Sequence, residues 1–149
     1  WRIMHVRQQI REHVGTILSG LTSTGNRVYQ SRVWPLNADT LPALLVYTTT
    51  ESSDTDTMGP TLTLNRELVL IVEGYVRDIT VYDDKIDTIS SEVEVAMAAD
   101  RTLGGKAKFS YLSGTEINYN GEGDQPMGIV SLQFTIQYRT AVNDPDTGV

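Results

Sequence analysis

The chain is predicted to fold as a single α+β domain, with two helices packed on a largely antiparallel sheet of about five strands and a projecting hairpin. Three observations carry that expectation. Two stretches repeat apolar residues at spacings of three and four, the mark of amphipathic helices, while others alternate apolar and polar residues or run apolar over strand lengths. Turn signals rich in Gly, Pro, Asn and Asp separate them. The order along the chain is helix, three strands, helix, two strands, with no internal repeat and no linker. The domain is expected to span 3–142, and "NDPDTGV" at 143–149 reads as a polar C-terminal tail.

Ile3, Val6, Ile10, Val14, Ile17 and Leu21 share one face of a helix predicted over about 3–20, with Arg7, Gln8, Arg11 and Glu12 opposite. Gly20 and the "STG" at 23–25 end it. "RVYQSRVWPL" reads as a short strand closed by Pro35, which cannot donate to a ladder. After the turn "NADTLP", "ALLVYTTTE" is a strand whose unbroken apolar start indicates burial on both faces. The longest strand signal is "TLTLNRELVLIVEGYVRD". Leu62, Leu64, Leu68, Leu70, Val72 and Val76 lie on one face, which Arg66 and Gly74 interrupt. Thr61, Thr63, Asn65, Glu67 and Glu73 lie on the other, so the strand is expected to leave the core at its start.

The second helix is "TVYDDKIDTISSEVEVAMAAD". Thr80 with Asp83 three residues on resembles a capping box, and Asp83, Asp84 and Asp87 sit where the helix dipole favours negative charge. Tyr82, Ile86, Ile89, Val93, Ala96 and Met97 form its buried stripe, and "LGG" at 103–105 ends it. The last strands are "KFSYLSGTEINYN" and "GIVSLQFTIQYRTAV", joined by the turn "GEGDQP". In the second of them, Val130, Leu132, Phe134, Ile136 and Tyr138 alternate with Ser131, Gln133, Thr135, Gln137 and Arg139, so one face is wet.

Composition narrows the function classes. The net charge of −7, from 19 acidic and 12 basic residues, is the wrong sign for wrapping phosphates, which takes a basic patch. The absence of cysteine excludes disulfide scaffolds, thiolate nucleophiles and cysteine zinc sites. No apolar run approaches the roughly 18 residues of a membrane helix, and the amphipathic N-terminus is no signal peptide.

Candidate chemistry dissolves on inspection. Asp54, Asp56 and Gly59 stand at positions 1, 3 and 6 of an EF-hand pattern, but Met58 and Asn65 occupy positions 5 and 12, so the bidentate carboxylate is missing. "GGK" at 104–106 lacks the remaining phosphate-loop residues, since Asp100 and Ala107 hold their places, and it follows a helix instead of preceding one. His5 and His13 are eight residues apart on one helix, too far for a shared metal, and read as surface residues. Asp83, Asp84 and Asp87 are explained by helix capping. No Gly-x-Ser-x-Gly elbow is present, and no nucleophile has an evident base. The chain is expected to be no enzyme, with no cofactor and no metal.

One segment stands apart. Between "LLVY" and "LTLNRELVLIV" run about ten polar residues, 51–60, where hairpin loops usually have two to five. They are read as a flap, unstructured in the monomer and ordered on assembly, with Glu51, Asp54, Asp56, Met58 and Gly59 as its contact residues.

Several stretches together resemble the tail terminator family of long-tailed phages, to which the lambda minor tail protein U belongs. The amphipathic opening helix is followed by a strand with "VY" and then a turn. "LPALLVYTTTE" is similar to the family's Pro-Ala-hydrophobic-x-Val-Tyr strand. "RELVLIVEGYV" leads to a helix opened by acidic residues, and "GIVSLQFTIQYRT" is similar to the terminal aromatic-x-Ile-x-Tyr strand. The resemblance covers about 3–140; the flap, "TLGGKAK" and the tail after Val142 have no counterpart in it.

The resemblance implies an assembly role in the virion, at the head-proximal end of the tail, after assembly in the host cytoplasm. A homo-hexameric ring would cap the tail tube, stop its growth and offer a surface to the head–tail connector. Its partners would be itself, the major tail tube protein and the connector or stopper protein. DNA would pass through without specific binding, and no membrane is involved. Loop carboxylates free to face the channel would be Glu51, Asp54, Asp56, Glu122 and Asp124. Rival readings are another neck protein, such as a tail-completion or head-closure component, and a small intracellular ligand-binding or regulatory domain.

Overall fold

The computed structural model describes residues 4–30, 42–56, 59–60, 62–77, 82–120 and 127–149. The chain runs α1 (Val6–Ile17), β1 (Val28–Tyr29), β2 (Ala43–Thr55), β3 (Thr63–Arg77), α2 (Tyr82–Ala98), β4 (Phe109–Asn120), β5 (Met127–Ala141) and β6 (Asp144–Gly148). The sheet order is β1-β2-β3-β5-β4, with β6 also paired to β5. β1 is parallel to β2, and every other pairing is antiparallel. The expected α+β architecture is present, with six strands among the described residues in an open, mostly antiparallel sheet.

Both helices lie on one face. Val6, Ile10 and Val14 of α1 and Ile86, Ile89, Val93 and Met97 of α2 join Leu68, Leu70 and Val72 of β3 and Val130, Leu132, Phe134, Ile136 and Tyr138 of β5 in one core. Each fully buried aliphatic side chain in such a cluster contributes about 1.5–3 kcal/mol. The alternation in β3 and β5 follows from their central position, since only one face of each meets the helices. On the opposite face Val69, Ile71 and Tyr75 are half-buried.

Helix α1 is shorter than its apolar period suggests, at 12 residues. His5 caps its start by accepting a hydrogen bond from the Arg7 N–H through Nδ1 at 3.0 Å. The chain leaves the helix at Leu18 and turns through Gly20, whose φ of 87° suits glycine. The proposed Thr80 cap of α2 and most of the "RVYQSRVWPL" stretch lie outside the described residues.

The structure corrects two boundaries. β2 does not stop before a flap at Glu51 but runs through Thr55, with Glu51↔Leu68, Ser52↔Glu67, Asp54↔Asn65 and Thr55↔Leu64 in register against β3. Polar Thr and Ser residues hide a strand well, because hydroxyls suit a wet edge and β-branched Thr favours extended backbone. The Asp56 N–H to Thr63 carbonyl bond at 2.8 Å closes the ladder, so the connection shortens to 56–62. The polar tail is likewise a strand. β6 pairs Thr140↔Gly148 on β5, in the lane beside β4, and the Gln9 side chain of α1 donates to the Asp146 carbonyl at 2.9 Å.

Gly74 sets how closely α2 approaches the sheet. A Cβ there would lie 3.1 Å from both Ile89 Cγ2 and Val130 Cγ1 and 3.6 Å from Leu44 Cδ2. Gly74→Val is therefore expected to destabilise the fold by about 1–3 kcal/mol through overpacking. The check is the midpoint of urea unfolding, with unchanged stability the contrary result.

Candidate functional site

The register places charge where the apolar pattern of β3 is broken. Arg66 is 9% exposed on the helix face, and its NH1 lies 3.1 Å from Glu51 Oε2. Its Nε donates to Thr140 Oγ1 at 2.9 Å, and its guanidinium carbon sits 5.8 Å from the centre of the Tyr138 ring. Glu51 also takes Arg7 NH1 of α1 at 2.9 Å and the Tyr138 hydroxyl, so one carboxylate with a 9% exposed side chain gathers three donors. Burial, then the hydrogen bond to Glu51, pushes the Tyr138 phenol well above its ordinary range. His5 stands at the margin, with Nε2 3.4 Å from Arg66 NH1. Desolvation first, then Arg7 and Arg66, lower its pKa, against smaller opposing effects of Glu51 and Asp146.

A bulge makes this cluster possible. Between Thr48 and Thr50 the register shifts by one residue, so Thr48 pairs with Leu70 but Glu51 with Leu68. Even-numbered Leu44 and Val46 face the helices before the bulge, and odd-numbered Glu51 faces them after it. The sequence signal for the cluster was Arg66 itself, since a lone charge in a buried stripe demands a countercharge. The bulge that supplies it has no signature in "YTTTESS".

The remaining flap and channel residues separate. Glu51 is no free loop carboxylate, because it is a strand residue already held by two arginines and a tyrosine. Asp54 is exposed in β2, directly opposite Asn65. Asp56 is ion-paired with Arg139 of β5. Gly59 is exposed in a bend, while Met58, Glu122 and Asp124 lie outside the described residues. His13 is tied to the segment after α2, its Nε2 2.8 Å from Asp100 Oδ2. That bond, with one from the Gly104 N–H, holds the Asp100 carboxyl below the usual carboxylate range. Among the described residues no group of three His, Asp or Glu is placed to hold a metal ion. No helix among them is long and apolar enough to cross a membrane.

The surface is least ordinary along β4. This strand ends the sheet, and Phe109, Tyr111, Ile117 and Tyr119 on it are between 41% and 52% exposed. Phe109 and Tyr111 stack with centroids 5.9 Å apart on the face away from the helices. A bulge between Leu112 and Gly114 turns Ile117 to the opposite face, beside Val130. Val95 of α2 is also exposed, and a groove of about 550 Å³ runs between α2 and β4, lined by Val95, Met97, Leu112 and Phe134. The aromatic spacing of "KFSYLSGTEINYN" was legible as a strand, but its place at the sheet edge was not.

No protein-family model matches the chain, and no curated protein sequence matches it. Among solved structures, a chain of the virion of a native gene transfer agent particle is similar: 14% identical, with 89% of this chain and 90% of that chain covered, at a TM-score of 0.38. A likeness of that degree assigns neither kinship nor role.

Two outcomes follow from the buried cluster. Glu51→Ala leaves Arg66 buried without its countercharge and is expected to cost about 3–5 kcal/mol in urea unfolding, while an exposed loop residue would cost almost nothing. His5 supplies a pH dependence. Its folded pKa lies below the ordinary 6.5, so the unfolded chain binds the proton more readily. Stability from this group is thus full above about pH 6.5 and is lost as pH falls below it. His5→Asn, which keeps a capping acceptor, should flatten that limb of the pH–stability curve.

Proposed function

We propose that the chain is a structural subunit of a phage-like virion, and specifically a tail terminator whose copies close into a ring on the end of the tail tube. The observation that carries this reading is β4, the end strand of the sheet among the described residues, with its exposed Phe109, Tyr111, Ile117 and Tyr119. A 12-residue edge strand bearing such side chains is a template for another chain unless something covers it. The resemblance of "LPALLVYTTTE", "RELVLIVEGYV" and "GIVSLQFTIQYRT" to the terminator family supports the tail as the assembly concerned.

In this reading the ring is hexameric, stops tube polymerisation and presents a surface to the head–tail connector, and it acts without catalysis or a cofactor. Identical subunits in a closed ring meet through two different patches, one on each side. The contact flap shrinks to the hairpin tip, with Asp54, Met58 and Gly59, because Glu51 is committed to the core and Asp56 to Arg139. The same correction leaves Asp54, Glu122 and Asp124 as the carboxylates proposed to face the channel. A negative wall lets DNA pass without adhering, since binding needs phosphates neutralised by Lys or Arg.

The test is native mass measurement and negative-stain imaging of the purified chain, alone and with uncapped tail tubes. Closed rings and tubes that stop growing after the chain is added are expected. A protein that stays monomeric and leaves tube growth unchanged would overturn the assignment.

A further inference from the structure

Helix α1 has one histidine at its start and another in its second half, and the two rings sit in opposite surroundings. Both ring nitrogens of His5 look at N–H groups. Nδ1 accepts from the Arg7 N–H at 3.0 Å, and Nε2 lies 3.4 Å from Arg66 NH1. The charged groups acting on the ring, among the described residues, are Arg7 of α1, Arg66 of β3, Glu51 of β2 and Asp146 of β6, with the arginines the stronger influence. Glu51 has no oxygen to spare for it, since Oε2 takes both arginines and Oε1 takes the Tyr138 hydroxyl. An imidazolium carries hydrogen on both nitrogens. Charging His5 therefore removes the cap bond and turns an N–H toward a guanidinium.

His13 is placed the other way. Its Nε2 is 2.8 Å from Asp100 Oδ2 on the segment after α2, and Asp100 Oδ1 accepts the Gly104 N–H at 3.1 Å. Lys106 is the other charged group acting on that carboxylate. Charging His13 makes this contact a charge-assisted one. The two histidines are eight residues apart, about 12 Å along the helix axis. Acid thus loosens one end of α1 and tightens the other.

We propose that α1 is an acid-released strap, whose first turns lift from the sheet as pH falls while its C-terminal half stays pinned to Asp100. The inference stands apart from the ring reading. The ties that let go are the His5 cap, the Arg7 bond to Glu51, and the Gln9 side chain, which donates to the Asp146 carbonyl of β6 at 2.9 Å. Glu51 keeps Arg66 and Tyr138 when Arg7 leaves, so the buried charge stays matched. Lifting uncovers Val6 and Ile10, which are 2% and 0% exposed in the closed state, and frees β6 from Gln9. The open state therefore presents an apolar stripe that the closed state hides.

The experiment is amide hydrogen exchange of the purified chain at about pH 7.5 and about pH 5.5, either side of the ordinary histidine value near 6.5. Rates are expressed as protection relative to an unfolded chain at the same pH, with and without sub-denaturing urea. Protection at Gln9 and Ile10 should fall several-fold at the lower pH and should scarcely respond to urea, because the opening exposes little surface. The Val72 and Leu132 amides in the sheet should respond to urea as global unfolding does. In His5→Asn, which keeps a capping acceptor but does not titrate, the fall at Gln9 and Ile10 should vanish. The Leu18 N–H, bonded to the Val14 carbonyl at 3.0 Å, reports on the pinned end. It should follow the sheet in the unaltered chain and join the urea-insensitive opening at low pH in Asp100→Asn. No fall at Gln9 and Ile10, the same fall in His5→Asn, or a urea response there equal to that of the sheet overturns the strap. A Leu18 amide that opens with the first turns in the unaltered chain, or stays closed in Asp100→Asn, overturns the pin.

Discussion

Arg66 stands in the apolar face of β3, and its charge has to be met there. A guanidinium cannot shed its proton, and a buried ion left alone costs several kcal/mol. The fold meets it with the Glu51 carboxylate at 3.1 Å, the Thr140 hydroxyl at 2.9 Å and the ring of Tyr138 beside it. Each partner arrives by a separate route. Glu51 depends on the bulge at Thr48–Thr50, Thr140 and Tyr138 on the β3–β5 register, and Arg7 on the docking of α1. Arg7, with a side chain 39% exposed, keeps part of its hydration, so a single carboxylate suffices between two guanidiniums. The cluster therefore locks α1, the outer half of β2 and the end of β5 into one arrangement.

What the sequence made legible, and what it hid, follows from the reach of the signals. The apolar faces of α1, α2, β3 and β5 are read from spacing alone, because each element meets the core over several turns or residue pairs. Gly74 and Arg66 are legible as exceptions on an apolar face. Both turn out to be requirements, one of close packing against Ile89 and one of a buried countercharge. Glu51 is misread because polar residues after "LLVY" look like a loop, while a one-residue bulge moves it from solvent to core. A single insertion in a ladder reverses which face a residue occupies, and nothing in its composition records that. β6 is missed for a related reason: "DPDTG" is a poor strand by propensity and exists through its bonds to β5 and α1.

Among the described residues, the outer half of β2 and the outer side of β4 are built differently. Natural edge strands are commonly guarded by charge, proline or shortness. β4 spans 12 residues with Glu116 as its single charged member, and the lysines at 106 and 108 stand before it. Its bulge turns aromatic and aliphatic side chains to both faces instead of hiding them. The outer half of β2 is guarded, by Asp54 and the paired Asp56, and carries no large apolar side chain between Thr50 and Thr55.

An edge that is apolar but unguarded and an edge that is polar but acidic cannot serve the same partner. Beside Asp54 any strand laid on the outer half of β2 would have to keep carboxylates off the face away from the helices, because like charges opposed across strands destabilise. β4 sets no such condition, and what it offers is apolar area. Because the outer half of β2 is held in place by Glu51 and Arg66, the geometry of that acidic edge is inherited from the buried cluster behind it.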